Sequence, residues 1–379
     1  MKKKRNLGYS SLKKIFIDFS SFILIIIILN YLIAITWSPI KNFYLKNISK
    51  KEYFSEEILK SIGIEKEDQI EFYEEMWLKR DLRYSQFTEY TEGEKVGQKY
   101  VNLNEENGRK IENNTNCNIN IFFYGGSNTF GYNVADDKTI PAYFKKLLND
   151  NSMYNYCVYN FGSASFYSLR ENSILTKHIL EDKNKKNDYS IFLNGNNERI
   201  NNDSVTLHLK KIFSIVNKSL WHQLLISSQN FIYSLPMFKF YKKIKYKNTN
   251  ANENQDFQQD FDIIELQNSD LKLLRNNFEK NLKIRKGICD SMELRCYTFI
   301  EPFPYIHGKM PKEFNDEDIK EIFNKKYLLF SKLNGVIDIT NAFDNITEIS
   351  YVDEGHFAPI ANEALAKIIY KNIFSDSNK

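Results

Sequence analysis

The sequence predicts an α/β fold: a doubly wound, parallel sheet of about five strands, preceded by a membrane-spanning helix. Three observations predict it. Short β-branched and aromatic runs recur and end in glycine or amide residues; amphipathic helical patterns alternate with them; and residues 15–37 are predominantly apolar, with Phe22 to Leu29 uninterrupted.

The strands come first. Ile119 to Tyr124, Val158 to Gly162, Tyr189 to Gly195, Tyr297 to Ile300 and Val336 to Ile339 are 4–7 residues long and bounded by turn-forming residues. Helical patterns cover Thr139 to Leu148, Leu169 to Leu180, Leu271 to Ile288 and His356 to Phe374. Pro141 falls in a first turn, where its missing N–H costs nothing. With 379 residues, 42% of them hydrophobic, and only 14 Gly and 7 Pro, the chain can bury a sizeable core.

The amino terminus carries a separate signal. Residues 15–37, at about 1.5 Å each, reach across a bilayer core of about 30 Å. Lys2, Lys3, Lys4, Arg5, Lys13 and Lys14 precede them with no acidic residue, so the positive-inside rule puts residues 1–14 in the cytoplasm and everything after Trp37 outside. The apolar run exceeds a signal-peptide core and no small-x-small cleavage site follows, which favours an uncleaved single-pass anchor in the cell membrane. The chain is +4 overall, but those six charges leave 46 basic against 48 acidic residues, a net −2. No basic footprint for nucleic acid remains.

Residues 38–112 read as a charged, aromatic stem, with a helical pattern over Glu56 to Leu78. Residues 200–261 interrupt the alternation with amphipathic pieces carrying Trp221, Phe231, Phe238 and Tyr241. This helical insertion reads either as a lid over a site or as a packed subdomain. Cys289 and Cys296 have a spacing that could close a small loop, and Cys117 and Cys157 precede two strands that such folds place side by side; either pair could equally be buried thiols. No Cys-x-x-Cys pattern or ligand cluster points to a metal.

The chemistry concentrates at strand ends. Gly125-Gly126-Ser127 would present a serine at the carboxyl end of the first strand, where open α/β sheets bind ligands. Asp353-Glu354-Gly355-His356 offers a base and its orienting carboxylate in one turn. A hydroxyl is a weak nucleophile near neutral pH and needs that pair. Asn197, after the third strand, offers an amide donor for a developing oxyanion beside the backbone N–H groups of Ser127 and Gly162. His178, His208, His222 and His307 have no such context.

At this point the chain resembles the SGNH, or GDSL-type, hydrolase superfamily, with Ser127, Gly162, Asn197 and His356 matching its Ser, Gly, Asn and His blocks in order. Phe122 to Gly131 followed by Asp136 to Pro141 resembles the first block of membrane-attached members, and Glu301-Pro302-Phe303-Pro304 the strand-end block before the last helices; Gly108-Arg109 is similar to a lead-in to the first block. Two departures stand out: the usual Gly-Asp-Ser is Gly125-Gly126-Ser127, and the usual Gly-x-Asn-Asp ends in Glu198. The resemblance covers residues 113–379 and implies a flavodoxin-like SGNH domain without a cofactor. It further implies a serine esterase, most simply one that removes acetyl groups from an extracytoplasmic polysaccharide. Acyl transfer to the same glycans, lipid-ester hydrolysis and non-catalytic glycan or partner binding are the alternatives. The acyl group and oligomeric state are not legible.

Overall fold

In a computed structural model, the described residues are 14–32 (except 15, 23 and 26), 53–198 and 268–374 (except 115, 116, 153, 313, 315 and 316). Described residues from 53 onward belong to one compact unit, and the helical residues of 14–32 to another. The 200–261 insertion lies outside the described residues.

Residues 53–112 do not stand apart as a stem. Helix α1 (Glu56–Ile62) starts at a Ser55 cap and ends on Gly63 in the left-handed region, where a side chain would be strained. Helix α2 (Gln69–Tyr73) runs into a π-turn, Glu74–Leu78. The helical pattern expected over Glu56 to Leu78 is thus broken at Gly63. Ile58, Leu59, Ile62, Phe72 and Met76 pack against Val101 of the same segment and against Phe130, Tyr132, Ile349, Val352 and Ala358 from beyond residue 113. The buried carboxylate of Glu75 accepts the backbone N–H groups of Lys99, Tyr100 and Val101 and fixes that packing. A hairpin, β1 (Leu82–Ser85) and β2 (Glu89–Glu92), follows. The boundary expected at 113 therefore moves upstream, because this segment supplies core side chains.

It also supplies strands. The main sheet has seven strands in the order β3-β4-β6-β5-β7-β8-β9: β3 (Leu103–Asn104), β4 (Gly108–Arg109), β5 (Ile119–Gly125), β6 (Tyr156–Gly162), β7 (Tyr189–Asn194), β8 (Arg295–Ile300) and β9 (Ile337–Asp338). The strands from β4 to β9 pair in parallel and β3 pairs antiparallel with β4 at the edge. The five expected strands are all present, so the mostly parallel α/β expectation is met. The edge pair was missed because two-residue strands carry no periodicity.

Alternation along β5 shows why helices cover both faces. Ile121 and Phe123 point into a core with Ile140, Phe144 and Leu148 of α4 (Ile140–Asn151) and Leu365, Ala366 and Ile369 of α8 (Pro359–Phe374). Phe122 and Tyr124 point the other way, against Ile174 and Leu175 of α5 (Ser168–Leu180) and Cys289 of α6 (Asn268–Ser291). Helix α7 (Glu317–Phe330), not expected from the sequence, joins Phe323 and Phe330 to a smaller cluster with Phe278 and Phe303. A short helix α3 (Ser127–Phe130) starts directly after β5. Two disulfides close, Cys117–Cys157 across the starts of β5 and β6, and Cys289–Cys296 between α6 and β8.

In the other unit, residues 16–22 and 27–32 are helical, and Phe16, Phe19, Phe22, Ile27 and Leu32 are exposed. Among the described residues, no helix is long and apolar enough to cross a membrane. The anchor expected over 15–37 falls partly outside them.

Candidate active site

Ser127 opens α3 at the carboxyl end of β5, half-exposed among buried neighbours. As the first helical residue its N–H has no intrahelical partner. Its carbonyl accepts from Gly131 and Tyr132, which folds the chain back so that the Tyr132 ring lies 5.5 Å from the His356 ring, centroid to centroid. Arg109 holds this turn from behind. Fully buried, its guanidinium donates to the carbonyls of Phe130 (2.8 Å), Gly131 and Val134 (2.6 Å) and pairs with Asp136 at 3.0 Å.

His356 and Asp353 sit in a tight loop closed by the Val352 N–H to His356 carbonyl bond and the Tyr351–Phe357 bridge. Asp353 Oδ1 accepts the backbone N–H groups of Gly355 (2.9 Å) and His356 (2.8 Å). Its Oδ2 meets His356 Nδ1 at 2.7 Å and accepts from Asn133 Nδ2 at 2.6 Å. Burial raises this carboxyl, but His356 and the two backbone donors outweigh it and hold it below its ordinary value. An ionised carboxylate only accepts, so Nδ1 carries a proton, and in the neutral tautomer the lone pair is on Nε2. Ser127 Oγ makes no hydrogen bond among the described residues; in a resting site this contact commonly tightens only around substrate.

Asn197 lies beside Gly126, the residue before Ser127. Its Nδ2 donates to the Phe166 carbonyl at 3.1 Å and occupies the space a Cβ on Gly126 would need. The Gly-Asp-Ser departure thus has a steric reason, since any side chain at 126 would displace the amide. Glu198, the other departure, reaches across to accept Ser168 N–H (3.0 Å) and Oγ–H (2.7 Å), tying the Asn197 loop to the start of α5. Behind it Arg285 donates to Glu171, Asn194, Asn172 and Thr298 in a buried network.

Gly162 does not fit the role expected of it. Its N–H donates to Asn160 Oδ1 at 3.0 Å and is not free for an oxyanion. What requires glycine there is close packing, because a Cβ would strike the Thr129–Phe130 backbone. The turn that follows, closed by the Phe166 N–H to Ser163 carbonyl bond, places Ser165 in the left-handed region at φ 56° with its N–H unpaired among the described residues.

Two buried carboxyls flank the site. Burial pushes Glu301 up to about 8, against hydrogen bonds from Asn128 and Asn196, the neighbours of Ser127 and Asn197. Burial and then the charge of Glu171 push Glu198 up to about 7, against its bonds to Ser168. Trp77 and Asn133 were missed altogether: Trp77 Nε1 donates to Asn133 Oδ1 at 2.8 Å. Glu301 and Arg109 stood in blocks noted in the sequence, without a role. No group of metal-ligating side chains occurs among the described residues.

No protein-family model matches the chain, and no curated protein does. Similar solved structures include the lipase/acylhydrolase from Enterococcus faecalis, at 15% identity over 68% of this chain and 96% of that one, with a TM-score of 0.36. A member of the lipolytic protein G-D-S-L family from Veillonella parvula shares 11% over 68% and 98%, with a TM-score of 0.36. An acetylxylan esterase from Geobacillus stearothermophilus shares 14% over 68% and 95%, with a TM-score of 0.36.

Proposed function

We propose that the protein is a serine ester hydrolase in which Ser127 is the nucleophile, His356 the base and Asp353 its orienting carboxylate. The observation that supports this is the Asp353–His356 pair at 2.7 Å, with the His356 ring 5.5 Å from that of Tyr132, whose N–H donates to the Ser127 carbonyl. His356 Nε2 takes the Ser127 Oγ proton as Oγ bonds to the ester carbonyl carbon, and the carbonyl π electrons move onto oxygen. Ser127 N–H and Asn197 Nδ2 donate to that oxyanion. Collapse breaks the bond to the alcohol, which leaves with the proton from His356; water then releases the acid by the same steps in reverse.

The substrate we propose is an O-acetylated polysaccharide outside the cytoplasm, with the enzyme tethered through residues 15–37. This rests on the charge asymmetry around that apolar stretch, on the exposed apolar side chains of residues 16–32 and on the resemblance of the sequence blocks. Full-length protein in detergent should hydrolyse p-nitrophenyl acetate and release acetate from acetylated oligosaccharides. Ser127→Ala and His356→Ala should abolish both. Full activity in either variant refutes the assignment, and acetyl groups appearing on an added acceptor glycan instead of in solution would make the enzyme a transferase. Protease protection of a tag at each end in membrane vesicles tests the topology.

A further inference from the structure

The Asp353 carboxylate has an outer partner that the Ser-His-Asp reading does not require. Asn133 is buried, sits in the left-handed region at φ 62° and engages both ends of its amide: Oδ1 takes the Trp77 indole N–H at 2.8 Å, and Nδ2 donates to Asp353 Oδ2 at 2.6 Å. The direction follows from chemistry. An indole can only donate and a carboxylate can only accept, so the amide has one orientation that satisfies both. Asp353 then has four donors, two on each oxygen, which matches its lone-pair capacity.

Trp77 is itself held in place. It lies in the π-turn Glu74–Leu78, a local form frequent at functional sites, and its ring packs 5.0 Å from Tyr132 and 6.2 Å from His356. Tyr132 in turn donates to Glu92 at 2.7 Å, and Glu92 pairs with Arg80 at 3.1 Å. The segment expected to be a stem therefore reaches the base by two routes, a hydrogen-bonded one through Asn133 and a stacked one through Tyr132.

We propose that Asn133 and Trp77 are positioning residues for the base: the indole orients the Asn133 amide, and the amide holds Asp353 so that the Nδ1–H of His356 stays aligned and Nε2 faces the nucleophile. The inference rests on the hydrolase reading given above. It assigns residues 53–112 a share in the reaction, as the outer end of a four-residue chain Trp77–Asn133–Asp353–His356.

Asn133→Gly is the decisive variant. Glycine keeps the left-handed backbone without strain and removes only the amide, so a purely conformational role for Asn133 would survive it. We expect kcat for p-nitrophenyl acetate to fall about tenfold in Asn133→Gly, the scale of one hydrogen bond to a charged group, with KM within about twofold. Trp77→Phe keeps an aromatic ring and removes the indole N–H, and should lower kcat about threefold. Both should melt as cooperatively as wild type. Independently of turnover, the downfield Nδ1–H resonance of His356 in the Ser127→Ala background should shift or broaden when either change is added. Wild-type kcat in both variants, an effect confined to KM, or an unmoved resonance overturns the inference. If wild type hydrolyses no ester but the resonance still responds, the positioning chain stands and the hydrolase reading falls.

Discussion

Glu301 should make the protein less stable as the pH rises, the reverse of the usual carboxylate. Its folded-state value is about 8, against an ordinary 4.5, because burial disfavours the charged form. Between those two values the folded protein holds a proton that the unfolded chain has released. Stability from this group is therefore complete below about pH 4.5 and is lost progressively up to about pH 8. At about 1.4 kcal/mol per pH unit the loss approaches 5 kcal/mol. Glu198, pushed to about 7, adds a loss of the same sign over a narrower window. Asp353 acts oppositely, contributing stability above the ordinary carboxylate range that disappears as the pH falls below it. Glu301→Gln mimics the protonated acid and cannot ionise. Urea unfolding of both proteins from pH 4.5 to 9 should show near-equal stability at the acid end and a gap widening to several kcal/mol in favour of Gln by pH 8. A gap constant to within about 0.5 kcal/mol, beyond the error of extrapolation, would show that Glu301 is not held neutral and would refute the reasoning.

Three further outcomes follow from the site and its frame. Gly126→Ala inserts a methyl where Asn197 Nδ2 sits, and a displacement on the order of 1 Å should lower kcat about 100-fold in ester hydrolysis assays while the fold persists in circular dichroism. Asp353→Asn places an amide against His356 Nδ1 and favours the wrong tautomer, so kcat should drop roughly 10³- to 10⁴-fold with normal expression. Replacing Cys117 and Cys157 by Ser frees a loop with a sequence separation of 40; loop-closure entropy puts the cost near 4 kcal/mol, readable as a lower urea midpoint, whereas the Cys289–Cys296 pair, with a separation of 7, should cost less.

The inner parallel strands were legible because each is a β-branched or aromatic run long enough to show its ends. The Asp-x-x-His turn was legible because base and orienter are local in sequence. What escaped was set by partners far away. Gly162 looked like a donor from its place after a strand, but Asn160, two residues earlier, takes its N–H, and no pattern announces a side chain folding forward onto its own strand. Asn133 and Trp77 lie in unremarkable polar and aromatic surroundings; only the fold brings them to Asp353. The burial of Glu198 and Glu301 was not legible either, because the residues that hydrogen-bond them, Ser168, Asn128 and Asn196, come from other elements. The stem was misjudged because its apolar residues are diluted among charges that pair with one another, as Lys99 does with Asp68.

The chain Trp77–Asn133–Asp353–His356 also has a temporal meaning. Trp77 is synthesised well before Asp353 and His356, which lie next to α8. A chain made only as far as β8 already carries Ser127, Asn133 and Trp77 but lacks Asp353 and His356. The proposed base and its carboxylate are thus the last members of this chain of contacts to be made, and the site is incomplete until they join it.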